Sequence, residues 1–160
     1  MLIEVTGDIL LSKADALVHG IAPHDDFKSG LAHSLKEAWP GLYKDFRHYC
    51  KTTNPSSGEI WSWAGPGTKI INLMTQEAPE DSGRNPRKAK TSYVNHALKH
   101  LRKIIQQEGL KSVALPRLAT GVGGLSWSEV QPLINQHLGD LTIPVYLYTT
   151  YQKGVEAKEA

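Results

Sequence analysis

Leu115-Pro116-Arg117-Leu118-Ala119-Thr120-Gly121-Val122-Gly123-Gly124-Leu125-Ser126-Trp127 is the stretch that decides the fold class of this chain. The apolar, partly β-branched run from Ser112 to Leu115 predicts a buried strand. A loop follows, with three glycines among the four residues from Gly121 to Gly124. A helix then opens at Ser126, where Glu129 completes a Ser-x-x-Glu capping box. Glycines let backbone N–H groups crowd around a ligand, and a helix N-terminus adds partial positive charge. Strand, glycine loop and helix start together suit a phosphate. The same residues also satisfy an ordinary tight strand-to-helix turn.

At 160 residues the chain fits one domain that buries roughly 68–70% of its unfolded surface. A net charge of +2 is too small to argue for nucleic acid by itself. The lone cysteine, Cys50, excludes an intrachain disulfide and a multi-cysteine zinc site, and fits a reducing cytosol. No apolar run approaches the roughly 18 residues needed to span a bilayer. Met1-Leu2-Ile3-Glu4 lacks the basic region and long apolar stretch of a signal peptide. A soluble, cytoplasmic, monomeric protein with no membrane partner, metal or cofactor is expected.

Strand and helix patterns alternate throughout, which predicts one α/β domain over residues 1–150 and a polar tail over 151–160, frayed from Gly154 onward. Leu2 to Thr6 and Ala16 to Val18 read as short strands. Leu31, Leu35 and Trp39 follow a helical period up to Pro40, and Leu42, Tyr43, Phe46, Tyr49 and Cys50 resume it, so two helices with a break are predicted. Glu59 to Ala64 and Lys69 to Met74 read as strands joined by a Gly-Pro-Gly turn. Asn54 to Gly58 and the proline-bearing stretch from Gln76 to Arg87 read as polar loops, the latter mobile. Tyr93, Val94, Ala97, Leu98, Leu101, Ile104 and Ile105 mark a helix from about Lys90 to Glu108, stopped by Gly109. Its other face carries Lys99, His100, Arg102 and Lys103, the pattern of a solvated surface. A last helix ends at Gly139, and Ile143 to Tyr148 closes the sheet.

Three segments must converge to form a nucleotide site. Gly7-Asp8-Ile9-Leu10 ends the first strand, and Asp8 there can accept from an exocyclic amine or serve as an Asx turn or cap. His19-Gly20-Ile21-Ala22-Pro23-His24-Asp25-Asp26-Phe27-Lys28-Ser29-Gly30-Leu31-Ala32 runs from strand into helix. The glycine loop is the third. Ligands of open α/β sheets sit beyond the carboxyl ends of the strands, where these loops fall.

These pieces, in this order, resemble a macro domain, the module that binds ADP-ribose. The likeness runs from Ile3 to Tyr148 and includes Gly-Asp-Ile-Leu, Ser-Gly-Leu-Ala at a helix start, Ile-Ile-Asn-Leu, and the glycine-loop motif ending in Trp127. It is most similar to the branch of terminal ADP-ribose protein glycohydrolase and the antitoxins that remove ADP-ribose from DNA. The resemblance implies a three-layer α/β/α sandwich around a mixed sheet. It also implies that Asp8 and Ile9 contact the adenine, with Tyr148 packed near its face. Ser29, Gly30 and Leu31 would line the proximal phosphate and distal ribose, and Thr120, Gly121, Val122, Gly123 and Gly124 would wrap the diphosphate. Asn72 would brace the structure or flank the distal ribose.

The chain departs from that branch at the chemistry. The branch's nucleophilic lysine follows a strand ending in Asn-x-x-Thr; here Asn72-Leu73-Met74-Thr75 leads to Gln76, and an amide is no amine nucleophile. Lys88 and Lys90, the nearest lysines, match no motif of the family. An acid found in the glycine loop of some relatives is replaced by Gly123. His19 takes the place of a histidine in small macro domains that dephosphorylate ADP-ribose 1″-phosphate, and a histidine near pKa 6.5 can act as general base or acid. His24, Asp25 and Asp26 stand where a distal ribose would be reached and are candidates to activate water. For His19 a structural role is the competing reading, and for Asp25 and Asp26 a solvated loop. Lys28 replaces a common glycine and either screens a terminal phosphate or faces solvent.

His96 and His100 have the spacing of helical metal ligands but lack a following acid and a third ligand. Trp61 and Trp63 alternate on one strand and therefore share a face, as core residues do. Two functions follow from these residues. One is a hydrolase releasing a group from the distal ribose of ADP-ribose, either a phosphate or an attached protein or nucleic acid, by attack of water. The other is a non-catalytic reader of ADP-ribose.

Overall fold

The computed structural model describes residues 1–80 and 86–159. The order is β1 (Leu2–Gly7), a 3₁₀ turn (Ile9–Leu11), β2 (Ala16–Ile21), α1 (Gly30–Ala38), α2 (Pro40–Thr53), β3 (Ile60–Gly65), β4 (Thr68–Met74), α3 (Thr91–Glu108), β5 (Val113–Pro116), α4 (Trp127–Leu138) and β6 (Val145–Tyr151). The strands form one mixed sheet in the order β1-β6-β5-β2-β4-β3. Neighbours are parallel except β3 and β4, where β4 returns antiparallel along β3 after the Gly-Pro-Gly turn.

Alternation along the central strands feeds two cores, one on each face. Val18, Ile71, Leu73 and Val113 pack against Val94, Leu98 and Leu101 of α3 and Val130 and Ile134 of α4. Leu17, Ile21, Ile70 and Met74 pack against Leu35 of α1 and Leu42, Phe46 and Cys50 of α2. The sheet thus has helices on both faces and makes the three-layer α/β/α sandwich. Pro40 takes the first position of α2, where its missing N–H costs no helical bond, so the predicted break falls between α1 and α2. Trp63 is buried and Trp61 packs beside it on the α1/α2 face. Trp61 also stacks on Tyr49 at 5.2 Å.

The boundaries differ from the sequence reading in three places. β2 continues past Val18 to Ile21, because His19 and Gly20 pair with Asn72 and Leu73 of β4 despite their polar look. β6 begins at Val145 and runs on to Tyr151. The tail is not frayed: Gln152 bonds to Gly7 of β1, Gly154 and Val155 to Asp8, and Glu159 to Ser12 and to Tyr148 of β6. The stretch expected as a mobile loop has paired stems, with Gln76 opposite Ala89 and Glu77 bonded to Lys88 and Arg87. Residues 81–85 of it lie outside the described residues.

Candidate functional site

The carboxyl ends of β2, β5 and β6 open into a cleft of about 560 Å³ that adjoins a second chamber of about 400 Å³. Gly30, Leu31, Pro116, Tyr148 and Tyr151 wall both. The smaller chamber adds Gly7, Ile9 and Leu10 and is mainly apolar. The larger is lined by the glycine loop, the start of α1, and His19, Asp25, Asp26 and Gln76. The three segments picked out in the sequence do converge here.

The glycine loop turns on Ala119 and Gly124, whose φ angles are +62° and +76°, rather than on Gly121. Its fold is closed from within: Leu125 N–H donates to Ala119 O at 3.0 Å, and the Thr120 hydroxyl donates to Arg117 O at 2.9 Å. Gly123 is required by contact, since a Cβ there would lie 2.7 Å from Ala119 O and 2.9 Å from the Ala89 Cβ. Gly121 has open space where its Cβ would be. Among the described residues, the N–H groups of Gly121, Val122 and Gly123 have no hydrogen-bond partner. Val122 is 54% exposed. At Ser126 the Glu129 carboxylate accepts both the hydroxyl and the backbone N–H, which fixes the loop's exit into α4.

Opposite this loop, α1 begins with Ser29, Gly30 and Leu31 at the cleft wall. The segment before it is held by Asp25, 9% exposed, whose two oxygens accept from Ala22 N–H at 3.0 Å and Phe27 N–H at 2.9 Å. Burial raises the Asp25 pKa, and the charge of Asp26 adds to the rise against the pull of those N–H bonds. His24 and Phe27 take positive φ angles of 58° and 56°. That bend points the His24 ring to Asn54 Oδ1, 2.9 Å away, outside the cleft. Asp26 accepts Lys28 N–H through Oδ1 at 3.2 Å. Its Oδ2 is buried at the cleft wall, 3.3 Å from the Lys28 ammonium but without a hydrogen bond.

His19 is 2% exposed, with its ring edge-on to Phe27. Its Nε2 lies 2.5 Å from Asn72 Oδ1, and Asn72 Nδ2 donates to Trp61 O at 3.0 Å. That second bond sets the amide's orientation, so His19 Nε2 carries the proton and Nδ1 is an acceptor; Nδ1 is buried with no partner. Burial pulls the His19 pKa down to about 4, against the lesser pull of the Asn72 bond. The ring is neutral at neutral pH. Asn72 therefore braces β2 and β3 across β4. Gln76 is buried at the cleft wall, its Nε2 donating to Arg87 O at 3.1 Å. The Lys90 ammonium pairs with Glu77, and neither Lys88 nor Lys90 lines the cleft.

Asp8 is 5% exposed; Oδ1 accepts Leu10 N–H at 3.0 Å and Oδ2 accepts Gly154 N–H at 2.9 Å. It caps the 3₁₀ turn, and its neighbours Gly7 and Ile9 form the chamber wall. Sequence reading missed Pro116 and Tyr151. The signal for Tyr151 was the continued β-branched and aromatic run through Thr149 and Thr150. His96 and His100 meet edge to face at 4.7 Å, and no group of three or more metal-ligating side chains comes together among the described residues.

An α/β/α sandwich with a two-chambered cleft at the carboxyl edge of its sheet is the class that this architecture defines. The chain belongs to the Macro domain family, whose model matches residues 18–134. It is similar to a DNA ADP-ribosyl glycohydrolase of Thermus aquaticus, 31% identical over 153 residues that cover 92% of this chain and 41% of that protein. The solved macrodomain of Thermus aquaticus DarG matches with a TM-score of 0.80 at 29% identity, covering 93% of this chain and 98% of that one. Thermosipho africanus DarTG, solved in complex with ADP-ribose, shares the fold with a TM-score of 0.80 at 24% identity, over 97% of this chain and 42% of that one. The chain spans about two fifths of the length of the curated DNA ADP-ribosyl glycohydrolases it matches.

Proposed function

We propose that this domain binds ADP-ribose, free or carried on a protein or nucleic acid, with adenine in the apolar chamber and the diphosphate against the glycine loop. The observation that carries this reading is the joining of two unlike chambers. One has the walls of Ile9, Tyr148 and Tyr151, suited to the faces of a base. The other presents the unpaired N–H groups of Gly121, Val122 and Gly123, suited to phosphate oxygens. Ile9 then stands at the adenine edge, with Asp8 behind it capping the 3₁₀ turn, and Ser29, Gly30 and Leu31 face the phosphates and distal ribose. The names of the relatives support the same ligand.

Hydrolysis at the distal ribose is the second reading, and Asp26 favours it. Of the four candidate catalytic groups, His24 is outside the cleft, Asp25 has both oxygens engaged, and burial, by pulling the His19 pKa down to about 4, leaves its free Nδ1 a weak base. Asp26 lines the cleft and keeps one buried oxygen without a hydrogen bond, 3.3 Å from the Lys28 ammonium. In this reading Asp26 takes a proton from water, the water oxygen bonds to the sugar carbon or a 1″-phosphorus, the bond to the leaving group breaks with its electron pair on the leaving atom, and that atom takes up the proton. Gln76, in the place of the branch's lysine, forms no covalent intermediate.

Calorimetry with ADP-ribose tests the binding; absence of binding refutes it. Turnover is then measured side by side on ADP-ribosylated protein, ADP-ribosylated DNA and ADP-ribose 1″-phosphate. If the domain is a hydrolase, Asp26→Asn lowers turnover by roughly 10²–10⁴-fold, the usual worth of general-base catalysis. Binding with no turnover on any of the three leaves a reader.

A further inference from the structure

We propose that the C-terminal segment, residues 152–159, is a built part of the nucleobase end of the cleft, with Glu159 the positioning residue for Tyr148 and the Gly154 N–H for Asp8. This rests on the ADP-ribose reading above. Gly7 lets the segment through: a Cβ there would lie 2.8 Å from both Ala157 N and Val155 O. Around Gly7 the segment interlocks with the end of β1. Gln152 N–H donates to Gly7 O at 3.1 Å, and Asp8 N–H donates to Val155 O at 2.7 Å. After the turn at Gly154, Ala157 packs against the α1/α2-side core.

Glu159 closes the assembly. Its Oε1 accepts Lys13 N–H at 3.0 Å, while its Oε2 accepts the Ser12 hydroxyl at 2.6 Å and the Tyr148 hydroxyl. One carboxylate thus ties the residues after the 3₁₀ turn to the ring that walls both chambers. Burial, and secondarily the Glu159 bond, push the Tyr148 phenol well above its ordinary pKa, so it stays a donor. With the hydroxyl spent on Glu159, Tyr148 presents its ring to a ligand and not its polar tip. A ring fixed beforehand removes an ordering cost from binding. The ligand feature that gains is a flat base, which ADP shares with ADP-ribose.

The test is a double-mutant cycle on ADP affinity by calorimetry, well below the unfolding temperature, with ADP-ribose run in parallel. Glu159→Ala and Tyr148→Phe should each weaken ADP by about tenfold, the scale of one charge-assisted hydrogen bond. The double variant should be no weaker than the weaker of the two single ones, because the bond that Tyr148→Phe removes is already lost in Glu159→Ala. Glu159→Gln, which keeps an acceptor oxygen, should recover part of the loss. Losses that multiply in the double variant, or an unchanged ADP affinity in Glu159→Ala, overturn the proposal. If Glu159→Ala fails to fold, the Ser12→Ala and Glu159→Gln variants carry the cycle, and unchanged affinity in both with Tyr148→Phe also unchanged overturns it. A wild type that binds neither ADP nor ADP-ribose refutes the ADP-ribose reading itself, and the positioning role with it.

Discussion

Protonating His19 should cost this fold stability below neutral pH. The ring is enclosed by Phe27 and bonded through Nε2 to an amide that cannot turn, because its other end is held by Trp61 O. A cation there loses water and gains no carboxylate. The pKa drops from 6.5 to about 4 on folding for that reason. The unfolded chain therefore takes up the proton first. The His19 contribution is fully present above about pH 6.5, declines as pH falls, and levels off below about pH 4. At about 1.4 kcal/mol per unit this interval amounts to about 3 kcal/mol, a large share of the roughly 5–15 kcal/mol of a typical domain. Urea unfolding of the wild type and of His19→Gln, measured from pH 7.5 down to 4, gives the assay. Asp25 shifts in the opposite sense, since its raised pKa favours the folded protein as pH falls, and it cancels from the difference. The wild type should lose stability relative to the variant by about 3 kcal/mol across the window. Parallel curves would refute the buried, neutral histidine.

The glycine loop should separate folding from binding. Gly123→Val should lower the melting temperature and abolish ADP-ribose binding, because its side chain meets Ala119 O and Ala89, whereas Gly121→Val should fold normally and lose only the ligand. Equal melting temperatures for the two would contradict the packing. Borohydride added during turnover should trap no sugar on the protein, since Gln76 offers no amine; mass spectrometry finding the adduct on Lys88 or Lys90 would show a displaced nucleophile.

Period and punctuation made most of the sandwich readable before any coordinates. The α3 stripe, Pro40 and the glycine loop each depend on neighbours a few residues away, and each stands where its pattern put it. What escaped depends on partners far along the chain. His24 and Asp26 are two residues apart with similar prospects on paper, yet positive φ at His24 and Phe27 sends one to Asn54 and leaves the other in the cleft. The amide of Asn72 could brace or bind until Trp61 O and His19 were seen at its two ends. The tail looked polar because it is, and only the bare backbone of Gly7 and the carboxylate-seeking groups of Ser12, Lys13 and Tyr148 explain why it is bound.

The place of β1 bears on how the chain comes off the ribosome. β1 lies at the margin of the sheet and its strand partner is β6, with Leu2 opposite Val145. At roughly 5–20 residues per second, the first strand waits on the order of ten seconds for its partner to be synthesised. The β3–β4 hairpin, by contrast, forms from adjacent residues. A nascent chain therefore holds the β5-β2-β4-β3 part of the sheet and an orphan first strand, and the nucleobase end of the cleft is the last part to come into being.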